Sequence, residues 1–316
     1  MPERGESSAV GTTGVRMPRA EVEEAQGPAS RARAQWGLGQ HLGPFVMRKP
    51  LGAIGAVVLL VFAGVAVLAP ALTTHDPDLN NYRERVKPPS AEHWFGTDNF
   101  GRDIYSRVIY GARISMYVGI LATLLGTLSG ALAGLCSGFF GGRTDQIVQR
   151  AADVMFTIPP LVLAMAIVTM LGPTLLNVTI AIAIPRMPNT NRVIRSAVLG
   201  IKESLFVEAS RAIGSTNSHI MVRHLLPNIT APYIVVATAS LGGAILVEAS
   251  LSFLGLGVPP PAPSWGRMLS LEGMRYFETA PWMAMAPGVF ISAAVFGANL
   301  FGDALRDVLD PKLRGR

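Results

Sequence analysis

The chain has 316 residues, 50% of them hydrophobic and only 15% charged, with a net charge of +6 and a mean hydropathy of +0.38. Soluble domains carry about 25% charged residues, so the shortage excludes an ordinary soluble enzyme, and the apolar content excludes disorder beyond the start of the chain. The single Cys136 excludes an internal disulfide and a cysteine-built metal site, and the basic excess, which sits in loops and tails, orients a membrane protein rather than binding nucleic acid.

Residues 1–47 are rich in Gly, Ser, Ala, Pro, Glu and Arg without apolar periodicity and read as a disordered cytoplasmic tail. The first apolar run, Leu51 to Leu72, starts too far along the chain and is too long for a cleavable signal; Arg48-Lys49 before it mark the cytoplasmic side. Three more runs lack Asp, Glu, Lys and Arg altogether: Ile114 to Gly141, Val154 to Pro185 and Thr279 to Gly302. A bilayer core needs roughly 20 residues of apolar helix, and each run meets that length. Val154 to Pro185 is too long for one span, and Gly172-Pro173 divides it, the second helix continuing past Pro185 towards Arg195. Ala231 to Gly257, with Glu248 as its one charge, makes a fifth span and Thr279 to Gly302 a sixth.

The expected fold is therefore an all-α polytopic membrane protein with six transmembrane helices and both termini on the cytoplasmic side. It divides into the tail 1–47, a first helix with an extracytoplasmic segment over 48–112, a five-helix domain over 113–304 with a cytoplasmic loop at 196–228, and a cytoplasmic C-terminal tail over 305–316. With that orientation the inside segments hold 19 Lys and Arg against 12 acids, and the outside segments 8 of each, as the positive-inside rule requires. Tyr110, Tyr117, Trp265, Tyr276 and Trp282 fall near the outer ends, where an aromatic belt lies.

On the second span Gly126, Gly130, Gly134 and Gly138 recur every four residues and form a side-chain-free stripe for close helix packing, within the chain or against a partner. Catalytic chemistry is missing: no Lys follows a Gly in a phosphate-binding loop, and there is no H-E-x-x-H, no G-x-S-x-G and no paired Cys. The five histidines are scattered outside the spans, and no metal site is expected. Glu248 alone is ionisable at membrane depth, which makes it a candidate pathway residue.

The loop at 186–228 is the most informative segment. Lys202 to Ile213 has helical apolar spacing, Gly214 suits a left-handed cap, Ser215-Thr216-Asn217 can cap a second short helix, and Pro227 is expected to stop it near Leu226. An exposed helix–Gly–helix with Glu208 and Arg211 beside apolar residues is a shape for docking into a groove. In FGTDNFGRD (95–103), turn residues make a capped loop expected to lead into a short helix, and Pro259-Pro260-Pro261 with Pro263 stiffens the loop after the fifth span.

Glu208-Ala209-Ser210, Gly214 and Leu226-Pro227 resemble the E-A-A–x3–G–x9–I-x-L-P signature of permease subunits of bacterial ABC importers, with Ser210 for the second Ala and His224 for the Ile. Phe95 to Asp98 with Gly101-Arg102-Asp103, Ser106-Arg107 and Gly111-Ala112-Arg113 resemble the segment before the second span of dipeptide, oligopeptide and nickel importers. Glu248 to Gly257, Pro263 to Gly266 and the ending from Asn299 to Pro311 fit the C-type permease of that family, and the likeness spans about residues 45–313. It implies a type I ABC importer permease fold in the bacterial inner membrane and a non-catalytic translocation subunit for di- and oligopeptides. The implied partners are a homologous second permease, one or two ATPase subunits that bind the ATP and Mg, and an extracytoplasmic peptide-binding protein. This chain would carry no cofactor, and Glu208, Ala209, Ser210, Arg211, Gly214, Leu226 and Pro227 would form the ATPase-coupling loop. Alternatives are a nickel or other small-solute importer permease and, from another class, a channel or secondary transporter, which would need more intramembrane charge.

Overall fold

The computed structural model describes residues 49–309, apart from the side chains of residues 271 and 272; the tail expected over 1–47 and residues 310–316 lie outside them. The described residues are helical, with no strand among them. Helix α1 (Pro50–Leu72) opens with a proline in its first turn, where a missing N–H costs nothing, and turns Leu60 and Val67 outwards at 71% and 75% exposure. That apolar outer face is uncovered among the described residues and suits lipid. Its buried side carries Gly55, where an added Cβ would lie 2.6 Å from the Gly297 carbonyl oxygen of the last helix. Lys49 pairs with Asp307 at 2.5 Å and so holds the start of α1 beside the end of that helix.

After a 3₁₀ turn at Tyr82–Glu84, helix α2 (Ile104–Phe140) runs for 37 residues, roughly 55 Å at 1.5 Å per residue. The Asp103 carboxylate caps it by accepting from the Ser106 amide at 2.8 Å. The apolar run predicts a start near Ile114 and a separate short helix before it; the cap instead begins one continuous helix at Ile104, across the boundary drawn at 112/113. Charged Arg107 and Arg113 are tolerated because this end overshoots a bilayer core of about 30 Å.

Helices α3 (Gly142–Phe156) and α4 (Pro160–Leu171) are bent by 93° at Thr157–Pro159. The break expected at Gly172-Pro173 exists, with Gly172 at φ +86°, but Pro159-Pro160 adds another, so Val154 to Leu171 is not one straight span. Two consecutive prolines remove donors and clash with the preceding turn. Helix α5 (Leu175–Ala183) continues through a 3₁₀ turn (Ile184–Arg186) into α6 (Met187–Ile201), so the chain does stay helical past Pro185.

Next come α7 (Leu205–Ala212) and α8 (Asn217–Ile220), a π turn (Met221–Leu225) and α9 (Leu226–Phe253). Pro227 does not stop a helix here. The wider turn at 221–225 makes room for its ring and spares the bond its nitrogen cannot make, so α8 and α9 join without a break. The short helices α10 (Trp265–Met268) and α11 (Leu271–Arg275) precede α12 (Trp282–Leu309), which extends past the tail boundary drawn at 305. Trp265 is no belt residue: it is fully buried, donates to the Val108 carbonyl at 2.8 Å and meets Phe62 edge-on at 5.4 Å. A tryptophan leaves the interface when its N–H finds a partner inside.

Among the described residues α1, α2, the run Asn217–Phe253 and α12 are long and apolar enough to cross a membrane, and the bent pair α3–α4 would be a fifth crossing. Buried side chains gather in three layers: around Trp265 at one end, around Val118, Ile182 and Leu251 in the middle, and around Leu135, Ile194 and Leu225 at the other. The long α2 contributes to all three.

Candidate functional site

The helix–Gly–helix loop lies on the third layer. Val207, Ser210, Ile220 and Leu225 are buried there, while Leu205 and Ile213 stand 83% and 84% exposed, beside exposed Glu208, Ala209 and Arg211. Gly214, at φ +81°, ends α7 in a Schellman arrangement: its amide bonds the Arg211 carbonyl at 2.9 Å and the Ser215 amide bonds the Ser210 carbonyl at 3.1 Å. The Thr216 hydroxyl then caps α8 by accepting from the His219 amide at 3.4 Å. The loop is thus a rigid corner with an apolar outer rim. His224, standing in a slot where an aliphatic residue is usual, stacks near Phe206 and His219 with ring centroids 5.9 and 5.8 Å away, and the fully buried Leu225 next to it fills the core. Leu226 and Pro227 are exposed at the start of α9.

The corner rests on the bundle through Val207 and Ile220 in the third layer and through Arg211, whose guanidinium lies 5.7 Å from the Phe139 ring centroid, and a polar lock ties neighbouring helices together. Arg195 of α6 grips Asp145 of α3 with two donors, Nε at 2.6 Å and Nη2 at 2.5 Å. Gln149 links Asn191 to Ser137, and Lys202 Nζ donates to the Gly138 carbonyl at 3.0 Å. The ends of α2, α3 and α6 are therefore tied to one another by side chains.

The glycine stripe lies against the α5–α6 rod. A Cβ at Gly126, Gly130 or Gly134 would sit 2.5 to 2.6 Å from the carbonyl oxygens of Ala183, Met187 and Asn191, and one at Gly138 would sit 2.9 Å from Val198 Cγ1. Backbone meets backbone along four turns, which only glycine permits.

Glu248 is fully buried on α9, accepts from Ser252 Oγ at 2.7 Å and leaves its other oxygen without a partner among the described residues. Its neighbour on α2 is Ser115. Arg186, which the charge pattern assigns to a loop, belongs to the helical rod: its Nε and Nη2 are buried without a partner among the described residues, and Nη2 would lie 3.6 Å from a Cβ at Gly243 of α9. It sits where the helix expected to continue past Pro185 towards Arg195 passes through the 3₁₀ turn at Ile184–Arg186. The loop residues and the glycines form one connected end of the molecule; Glu248 stands apart from them.

Residues 103–315 match the family model described as the binding-protein-dependent transport system inner membrane component. The dipeptide transport system permease protein of Alkalihalophilus pseudofirmus is 44% identical over 267 residues, covering 84% of this chain and 88% of that protein. The oligopeptide transport system permease protein of Bacillus subtilis is 40% identical over 264 residues, covering 84% and 86%. In fold, the chain is similar to a chain of the methionine ABC transporter MetNI in an inward-facing conformation, with a TM-score of 0.53 at 18% identity, covering 66% of this chain and 98% of that one. The protein is a multi-pass membrane protein, and it belongs to the family of inner membrane components of binding-protein-dependent transport systems.

Proposed function

We propose that this chain is one of two permease subunits of an ATP-driven importer and forms half of a path that carries di- and oligopeptides inward by alternating access. The observation that carries the mechanism is the capped α7–Gly214–α8 corner, its apolar rim exposed and its inner side chains Val207 and Ile220 buried against α2 and α6, which are themselves tied to α3. A short helix held this way turns the closing of an ATPase pair into a rigid rotation of the spans, with no covalent step in this chain. Glu208 suits an arginine in the ATPase cleft, and Leu205, Phe206 and Ile213 suit its apolar walls. ATP and Mg²⁺ would be bound by the ATPase subunits, and an extracytoplasmic binding protein would deliver the peptide. The peptide as cargo follows the printed names of relatives at 40% and 44% identity. On this reading α3–α4 and α5–α6 complete six crossings with both termini cytoplasmic, and Glu248 tunes the packing of α9 on α2 beside the path. Nickel or another small solute is the alternative cargo.

The test is purification of the tagged chain in mild detergent, as wild type and as Glu208→Arg and Gly214→Pro, with assay of co-purifying subunits and of ATPase activity stimulated by dipeptide and binding protein. An ATPase that accompanies the wild type and is lost or uncoupled in both variants supports the reading. A chain that purifies alone, or variants that stimulate normally, would remove the coupling role and return a channel or secondary transporter to consideration.

A further inference from the structure

Between α1 and α2 the chain gathers side chains that the transport reading does not use. His75 follows the end of α1, His93 lies in the segment before FGTD, and Asp103 caps α2; one donor atom from each lies within 4.8 Å of the other two. His93 Nδ1 is 3.0 Å from Asp103 Oδ1, His75 Nδ1 is 3.9 Å from Asp103 Oδ2, and the two imidazole rings face each other with centroids 4.7 Å apart. Two imidazoles this close to a carboxylate buried to 1% exposure form a donor set of nitrogen and oxygen from three separate segments.

We propose that His75, His93 and Asp103 form a binding site for a zinc-class divalent cation on the outer elbow of the protein. The surrounding groups are arranged as metal ligands need. His93 Nε2 points at Glu84 Oε2 at 3.2 Å, so with Nδ1 on a metal the opposite nitrogen donates to a carboxylate, the usual outer support of a metal-bound histidine. Asp103 Oδ2 is held by the Ser106 amide at 2.8 Å, leaving Oδ1 for the ion, and the His75 backbone N–H is held by Ser106 Oγ at 3.1 Å. His93 is buried, whereas the His75 side chain is 37% exposed and gives the ion its way in from solvent. Three protein ligands leave one position for water. The mixed nitrogen and oxygen set favours zinc over calcium or magnesium, which prefer oxygen alone. A second grouping of Glu84, Glu92 and His93 shares His93, but Glu84 is already engaged by Lys87 at 2.9 Å and Glu92 is exposed. Spacing hides the site, because His75 and His93 are 18 positions apart with no motif between them, and only the return of the elbow to α2 joins them. A bound ion would clip the end of α1 to the cap of α2.

The experiment uses the full chain carrying a streptavidin-binding tag, purified in detergent without polyhistidine. Zinc retained after dialysis is counted by elemental analysis, Co²⁺ replaces it as a spectroscopic probe, and thermal midpoints are read with and without added Zn²⁺. Wild type should hold one ion per chain, show visible Co²⁺ bands and melt higher with Zn²⁺; His75→Ala should lose all three. Glu84→Gln, which removes the carboxylate behind His93 together with the Lys87 ion pair and leaves all three ligands in place, should bind roughly 10–100-fold more weakly. The double variant His219→Ala/His224→Ala, at the other end of the molecule, should bind like wild type. No retained zinc in a folded wild type, equal binding in His75→Ala, or loss confined to the His219/His224 variant would each overturn the site.

Discussion

Asp145 and Arg195 meet through two short hydrogen bonds at positions only partly open to solvent, with side chains 20% and 31% exposed. Asp145→Asn should cost about 1–2 kcal/mol of stability at neutral pH, the range for a partly screened charged hydrogen-bond pair. Denaturation midpoints of wild type and variant should differ accordingly at pH 7; equal midpoints would refute the assignment. Arg186 is the opposite case, a guanidinium with two buried nitrogens that meet no acceptor among the described residues. A buried donor without an acceptor costs about 1–3 kcal/mol, so Arg186→Met should raise the thermal midpoint of the isolated subunit. A lower midpoint would show that the arginine is bonded in the folded chain.

At the scale of helices, the α2–α6 contact depends on four glycines in register with the carbonyls of the facing rod. Gly130→Val should be destabilising by about 1–3 kcal/mol through overpacking, because neither backbone can give way. It should be read as loss of folded protein in size-exclusion chromatography after mild heating, beside Gly64→Val on α1, where an added Cβ meets nothing within 4 Å. Equal behaviour of the two variants would mean that the helices do not approach as described. The stripe was legible because a four-residue repeat of the smallest side chain has one physical use. Its partner was not, since the facing rod holds Pro185, Pro188 and three arginines and does not look like a packing surface. Pro227 and Pro159-Pro160 show the same asymmetry. A proline says that a helix is disturbed there; whether the chain bends by 93° or passes through a π turn is set by what packs around it.

For the molecule as a whole, topology is the open quantity that a direct measurement can fix. In a Cys136→Ser background, single cysteines at Asn80 and Thr174 should react with an impermeant thiol reagent from outside, and one at Ser218 only after the membrane is opened. Labelling at Thr174 from the inside would make α3–α4 a re-entrant loop and reduce the crossings to four.

The sequence by itself settled the solvent of this protein, because a bilayer admits only long runs without charge, and that demand is local and additive along the chain. It also revealed the α7–Gly214–α8 corner, since caps and a left-handed glycine act within a few residues. The tertiary structure alone decided what depends on distant segments returning to each other. It carried Trp265 off the interface into the core, joined α8 to α9 through Pro227, buried the Arg186 guanidinium nitrogens and brought His75 and His93 to Asp103. Such meetings are fixed by packing geometry over tens of residues, and no local pattern in the chain encodes them.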